Sequence, residues 1–269
     1  MGGLPHKLRN DITLEGCKMS MKTVSVVGLG KLGASMVAGF ASRGLNVIGM
    51  DLNEGVVSKL NTGIAPVQES GLQDLINDNS ERIRATLSTD EAVLNSDLTF
   101  VIVPTPSLEN GSFSTSFAEK AFEEIGSALK KKNSYHVVVL TSTVMPGATR
   151  KILLPILEKY SGKTCGIDFG LCYSPEFIAL GTVIRDFLNP DFYLVGQFDD
   201  KSGNILENIN NIVAINKAPS KRLSIENAEL AKISINSFVT MKITFANILS
   251  GICERLPEGD VDQVSDALG

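Results

Sequence analysis

Gly28-Leu29-Gly30-Lys31-Leu32-Gly33 and Asp51, 21 residues beyond Gly30, are the first residues in the chain whose types and spacing could do chemistry. That chemistry is the holding of a dinucleotide. Gly28 permits a tight turn, Gly30 lets backbone approach a pyrophosphate, and Gly33 lets a following helix pack close to the preceding strand. The helix would open at Lys31 and Leu32, and its partial positive end would face the phosphates. Asp51 would accept hydrogen bonds from a ribose 2′,3′-diol and repel a 2′-phosphate, which favours NAD over NADP. Glycines at this spacing are weak evidence alone. The apolar run at Val24, Val26 and Val27, the helical pattern to about Ser42 and the second run Val47-Ile48-Gly49-Met50 supply the strand, helix and strand that such a turn needs.

A second pair stands far downstream. Lys232 and Asn236, four residues apart on a helical stretch, share a face. An ammonium and a carboxamide among apolar neighbours need a partner, and a substrate oxygen suits both.

The elements that must position these groups alternate strand and helix. Helices are expected near Val56–Leu60, Gly71–Asp78, Asp90–Asn95, Ser116–Lys132 and Thr149–Tyr160. Strands are expected at Leu98–Val103, Val137–Leu140, Leu171–Tyr173, Phe192–Val195 and Ile212–Ile215. The pattern predicts an α/β fold, a doubly wound, Rossmann-type and mostly parallel sheet, with ligands outside the carboxyl ends of its strands. Pro104-Thr105-Pro106, Ser142-Thr143 and Pro175-Glu176 each follow a strand directly, so they should gather at one crevice with the glycine turn.

Residues 1–21 read as an extension, 22–216 as the dinucleotide-binding domain and 217–269 as a central helical domain. The polar stretch Asn216–Leu223, with Pro219, Lys217, Lys221 and Arg222, marks the boundary. Ser224 is a plausible N-cap with Glu226 in the first turn, and a helix should run to about Arg255, roughly 45 Å at 1.5 Å per residue. Its apolar residues, among them Phe238, Met241, Phe245, Ile248 and Ile252, wrap around it, which predicts burial by another domain or a second copy, hence a homodimer.

Composition bounds the rest. A chain of 269 residues with 43% hydrophobic residues can bury a real core, and a net charge of −5 argues against nucleic acid or a membrane surface as partner. Cys17, Cys165, Cys172 and Cys253 have no metal-like spacing and there are two histidines, so no metal is expected. No leader-like apolar segment opens the chain, which points to a reducing cytoplasm.

The chain resembles the UDP-glucose/GDP-mannose dehydrogenase family, NAD-dependent enzymes that oxidise the C6 alcohol of a nucleotide sugar to a carboxylate for polysaccharide precursors. Gly28 to Gly33 with Asp51, Val103-Pro104-Thr105-Pro106, Ser142-Thr143-Val144 with Pro146-Gly147, Ser174-Pro175-Glu176-Phe177 with Gly181 and Asp186, and Lys232 with Asn236 carry the likeness in order. It implies that Thr143 and Glu176 hold a water and assist proton transfer, and that Lys232 and Asn236 stabilise oxyanion charge. Pro104, Thr105 and Thr143 would lie with the cofactor, and a UDP-sugar is the expected substrate.

The chain departs from the family at Thr141, where a Lys is common, at Leu180, where an acid is, and at Asn110-Gly111, where Asp-Gly is. A Gly-rich segment bearing the Cys of the second oxidation is not found before Gly269. The expectation is therefore of the amino-terminal part of a longer enzyme, which binds NAD without carrying a sugar to its acid. Two other readings stay open: a 3-hydroxyacid dehydrogenase of the 6-phosphogluconate type, and a non-catalytic NAD-binding dimerisation module.

Overall fold

β-Branched residues claim the centre of the molecule. In the computed structural model, which describes residues 22–178 and 181–268, Val26, Val137, Val138 and Val139 are fully buried on strands. Expectations for residues 1–21 (with Cys17), for Leu180 and for Gly269 lie outside the described residues.

The first unit is β1 (Thr23–Val27), α1 (Lys31–Ser42) and β2 (Asn46–Met50). It continues through α2 (Glu54–Asn61), α3 (Leu72–Asp78), β3 (Ile83–Thr86), α4 (Thr89–Leu94), β4 (Leu98–Val101), α5 (Ser116–Lys131) and β5 (Val137–Leu140). A π-helical turn, Thr149–Leu153, runs into α6 (Leu154–Ser161), followed by β6 (Gly170–Tyr173), α7 (Val183–Leu188), β7 (Tyr193–Gln197) and α8 (Asp200–Val213). The edge strand β8 (Ser220–Ser224) leads directly into α9 (Ile225–Cys253), and α10 (Val261–Leu268) follows.

The eight strands form one sheet in the order β3-β2-β1-β4-β5-β6-β7-β8. Its pairs are parallel except β6 with β7. The order reverses beside β1, between β1 and β4, the switch point where such sheets open a crevice.

Both faces are covered, as a parallel sheet requires. On one, Phe40 of α1 stacks on Phe100 of β4 with centroids 4.9 Å apart and meets the edge of Phe187 of α7 at 5.2 Å. That contact depends on Gly39: a Cβ there would stand 2.6 Å from the Phe187 ring. On the other face, Phe122, Ile125 and Leu129 of α5 pack with Leu157 of α6, all buried. Lys130 and Lys131 close α5, where cations favour the helix dipole.

Two readings of the sequence are corrected. Ile212 and Val213 end α8 rather than start a strand, because Ile205, Leu206, Ile209 and Val213 recur at helical spacing and bury one side. The last strand comes later, starting within the polar stretch Asn216–Leu223 and ending at Ser224, and pairs with β7 from Tyr193↔Ser220 to Gln197↔Ser224. Its polarity suits an edge strand, where only one side is paired.

The long helix forms as expected, with the Ser224 hydroxyl accepting from the Asn227 N–H at 3.3 Å. Its first turns bury Ile225, Ala228, Glu229 and Lys232, whereas Phe238, Met241, Phe245, Ile248 and Ile252 are exposed.

Candidate functional site

Two parts meet at the carboxyl ends of the strands. The first is the glycine turn. Gly28 has φ +96°, and a Cβ there would collide with the Ile102 carbonyl at 2.1 Å. A Cβ on Gly33 would stand 1.8 Å from the Gly28 carbonyl oxygen, so α1 is seated directly on the turn. Gly30 faces open space instead, as close approach by a ligand requires. No side chain caps α1 and its first turn carries no acid, which leaves its positive end for an anion.

Asp51 directly follows β2. Its carboxylate accepts from the Leu29 N–H at 2.7 Å and the Asn53 N–H at 2.9 Å, so it braces the turn as well as facing the cleft. The cleft has a volume of about 620 Å³. Gly28, Gly30, Lys31, Leu32, Gly33, Asp51 and Pro104 line it, with Leu52, Ile102, Val103 and Phe117 as its apolar wall. Thr105 is half-buried one residue past Pro104 and outside that lining, and so is Thr143.

The second part lies on the loops after β5 and β6. Ser142, two residues past β5, donates its hydroxyl to the Val103 carbonyl at 2.7 Å and accepts from the Val103 N–H at 2.8 Å. It thereby ties the Thr143 loop to the Val103-Pro104-Thr105-Pro106 loop. This staple was not legible in the sequence, where Ser142 is one of many hydroxyls.

After β6, Ser174-Pro175-Glu176-Phe177 turns toward α9. Lys232, itself buried, donates from Nζ to the Glu176 carbonyl at 2.7 Å and lies 4.4 Å from the centroid of the Phe177 ring. Phe177 in turn packs on Phe192 at 5.2 Å. Burial pushes the Glu176 carboxyl up to about 7, with Lys232 opposing part of the shift. Burial likewise lowers Lys232, with Glu176 opposing. A carboxyl that titrates near neutrality beside an ammonium is suited to accept a proton while its neighbour steadies negative charge.

Asn236 is not drawn into this cluster. It is exposed one turn beyond Lys232, in line with Thr240, Thr244 and Ile248 on a face of α9. A further depression of about 420 Å³ opens beside Glu176, bounded by Arg185, Asn189 and Phe192.

The NAD-binding domain of the UDP-glucose/GDP-mannose dehydrogenase family matches residues 22–214, and that family's central domain matches 226–269. The chain belongs to this family. It is 36% identical over 235 residues to the GDP-mannose 6-dehydrogenase of Pseudomonas aeruginosa, covering 87% of this chain and 53% of that protein. It is 36% identical over 234 residues to the UDP-glucose 6-dehydrogenase of Haloferax volcanii, covering 86% and 54%. The solved structure of a UDP-glucose dehydrogenase from Pyrobaculum islandicum superposes with a TM-score of 0.86 at 32% identity, covering 96% of this chain and 58% of that one. The chain thus spans about half the length of the curated relatives it matches. The Rossmann-type fold and NAD as cofactor follow from this membership of the family, and the glycine turn, the open Gly30 and Asp51 fit that cofactor.

Proposed function

We propose that these residues form the cofactor-binding and alcohol-oxidising part of a nucleotide-sugar 6-dehydrogenase. The observation that carries the reading is the Glu176–Lys232 pair, held at the same strand ends as the dinucleotide cleft. Bound NAD would supply the hydride acceptor. Glu176, which titrates near 7, would take the proton of the C6 hydroxyl, directly or through a water shared with Thr143. The Lys232 ammonium, with N–H groups beyond the one given to Glu176, would stabilise the oxygen as it gains negative charge. Asn236 would join them once substrate or a second copy covers that face of α9, and Thr105 would support the cofactor from beside Pro104.

The second oxidation needs a nucleophile added to the aldehyde carbon. None of the described thiols fits that role: Cys165 and Cys172 are buried with burial pushing both up to about 12, and Cys253 is buried at the end of α9. The relatives act on GDP-mannose or UDP-glucose by name, and for this chain we favour a UDP-sugar. The exposed apolar face of α9 would be covered by the same helix of a second copy, giving a homodimer.

The test is to supply NAD with UDP-glucose, UDP-N-acetyl sugars and GDP-mannose in turn, following NADH absorbance and product mass. NADH with a C6 aldehyde from one of them supports the reading, and a C6 acid would contradict the missing second step. NAD binding with no NADH from any sugar would leave a binding and dimerisation module in its place.

A further inference from the structure

We infer that Glu229 is a positioning residue that clamps the loop bearing Thr143 to the helix bearing Lys232, and so sets the distance across which the two act. This rests on the alcohol-oxidising reading above. Glu229 is completely buried on α9. Among the described residues no cation pairs with it. Its two carboxyl oxygens instead accept from the backbone N–H groups of Gly147 and of Thr149, the latter at 2.9 Å.

A buried carboxyl group costs free energy unless its oxygens find donors. The donors here come from one turn, Gly147–Thr149, which opens the π-helical segment four to six residues after Thr143. Gly147 sits at φ +91°, a conformation that side chains rarely adopt, so the turn's shape is fixed at that point. Glu229 and Lys232 are three apart on α9 and therefore lie on the same side of it. One carboxyl group thus holds the helix to the Thr143 loop, while Lys232 reaches the Glu176 loop through its carbonyl. At the loop's other end the Ser142 hydroxyl holds Val103. Thr143 is fixed on both sides, by Ser142 before it and by Glu229 beyond it.

Around the clamp the Thr149 hydroxyl is buried and, among the described residues, without a hydrogen-bond partner, and the Tyr173 hydroxyl is buried against the Val144 backbone. Neither can substitute for Glu229 as an acceptor for both amides at once. Replacing the carboxyl by a carboxamide keeps the volume but turns one acceptor into a donor facing an N–H.

The experiment compares Glu229→Gln, and Glu229→Asp as a shorter acid, with the wild type and with Thr143→Ala. In turnover with NAD and a nucleotide sugar, Glu229→Gln should lower kcat by about tenfold or more, the scale of one lost hydrogen bond to a charged group. KM for NAD should change less than about twofold, since the dinucleotide cleft is not involved. In a Thr143→Ala background the same substitution should cost almost nothing further, because groups that act through one another are non-additive. Full additivity, or a KM for NAD that rises as much as kcat falls, would overturn the proposal. A measurement without turnover separates its failure from that of the enzyme reading: methyl relaxation of Thr143 by NMR. Glu229→Gln and Glu229→Asp should each leave the Thr143 methyl markedly more mobile, with α1 unchanged. A Thr143 methyl as ordered as in the wild type would sink the clamp whether or not the protein turns over. If Glu229→Gln does not fold, the Glu229→Asp spectra decide the question alone.

Discussion

Two buried lysines stand at opposite ends of the sheet, and they differ in what satisfies them. Lys132, past the end of α5 at the amino ends of the strands, donates to the carbonyls of Val93, Leu94 and Ser96 at 2.7, 3.1 and 2.6 Å. It closes the last turn of α4. Beside it His136 bridges Thr99 at 2.8 Å and the Ser96 carbonyl at 3.2 Å, and Ser25 joins Thr99 at 2.6 Å. Lys232, at the carboxyl ends, makes one hydrogen bond among the described residues, to a single carbonyl, and rests on an aromatic ring. Burial lowers both lysines. Burial alone therefore does not mark a functional group. Unused donors at the crevice do, and a fully used set at the far end marks a structural one.

The comparison is most sharply tested by its two titrating partners. Glu176→Gln should cut kcat by about 10²–10⁴, the range for a general base, and abolish a rise in kcat with an inflection near pH 7. His136→Gln should leave kcat alone. Stability moves in opposite senses in the two cases. Between about 4.5 and about 7 the folded protein keeps a proton on Glu176 that the unfolded chain has released, so stability falls as pH rises through that window. His136 is held down to about 3 by burial and then by Lys132, so between 6.5 and about 3 the unfolded chain takes up a proton the fold refuses. Stability there falls as pH falls. Denaturant titrations across pH should show each slope disappear in its own variant.

Exchanging the lysines comes next in size. Lys232→Met should lower kcat by about 10²-fold, the effect of losing one donor to an oxyanion, with stability little changed. Lys132→Met should do the reverse, costing about 3 kcal/mol because buried carbonyls lose their donor, with kcat kept. Equal effects on both readouts for both variants would erase the distinction.

Much of this was legible in the sequence because local rules and global fold agree. The glycine spacing, the β-branched runs and the cap at Ser224 each fix one conformation, and the first unit formed where the periodicity placed it. What escaped has physical reasons. β3 shows only one fully apolar face position at Ile83 and carries Arg84 outward, too little for a pattern. α8 is rich in Asn and β-branched residues, so Ile212-Val213 imitates a strand. The Ser142 staple, the Lys132 network and Glu229 join residues far apart in the chain, and no spacing reveals such partners.

Smaller effects are expected at the dinucleotide cleft. Asp51→Ala should weaken NAD about tenfold, equal to roughly 1.4 kcal/mol, and change NADP little, because the lost carboxylate both accepts from ribose and repels a 2′-phosphate. Calorimetry with both nucleotides checks it, and an unchanged NAD/NADP ratio would remove Asp51 from cofactor choice.

The central claim, that the carboxyl end holds a proton acceptor tuned to neutral pH, is open to one direct measurement: the titration of the Glu176 side-chain carboxyl by ¹³C NMR, in the wild type and in Lys232→Met. The expected midpoint is about 7 in the wild type, moving higher once the lowering influence of Lys232 is gone. A midpoint near the ordinary 4.5, unmoved by the substitution, would contradict the account.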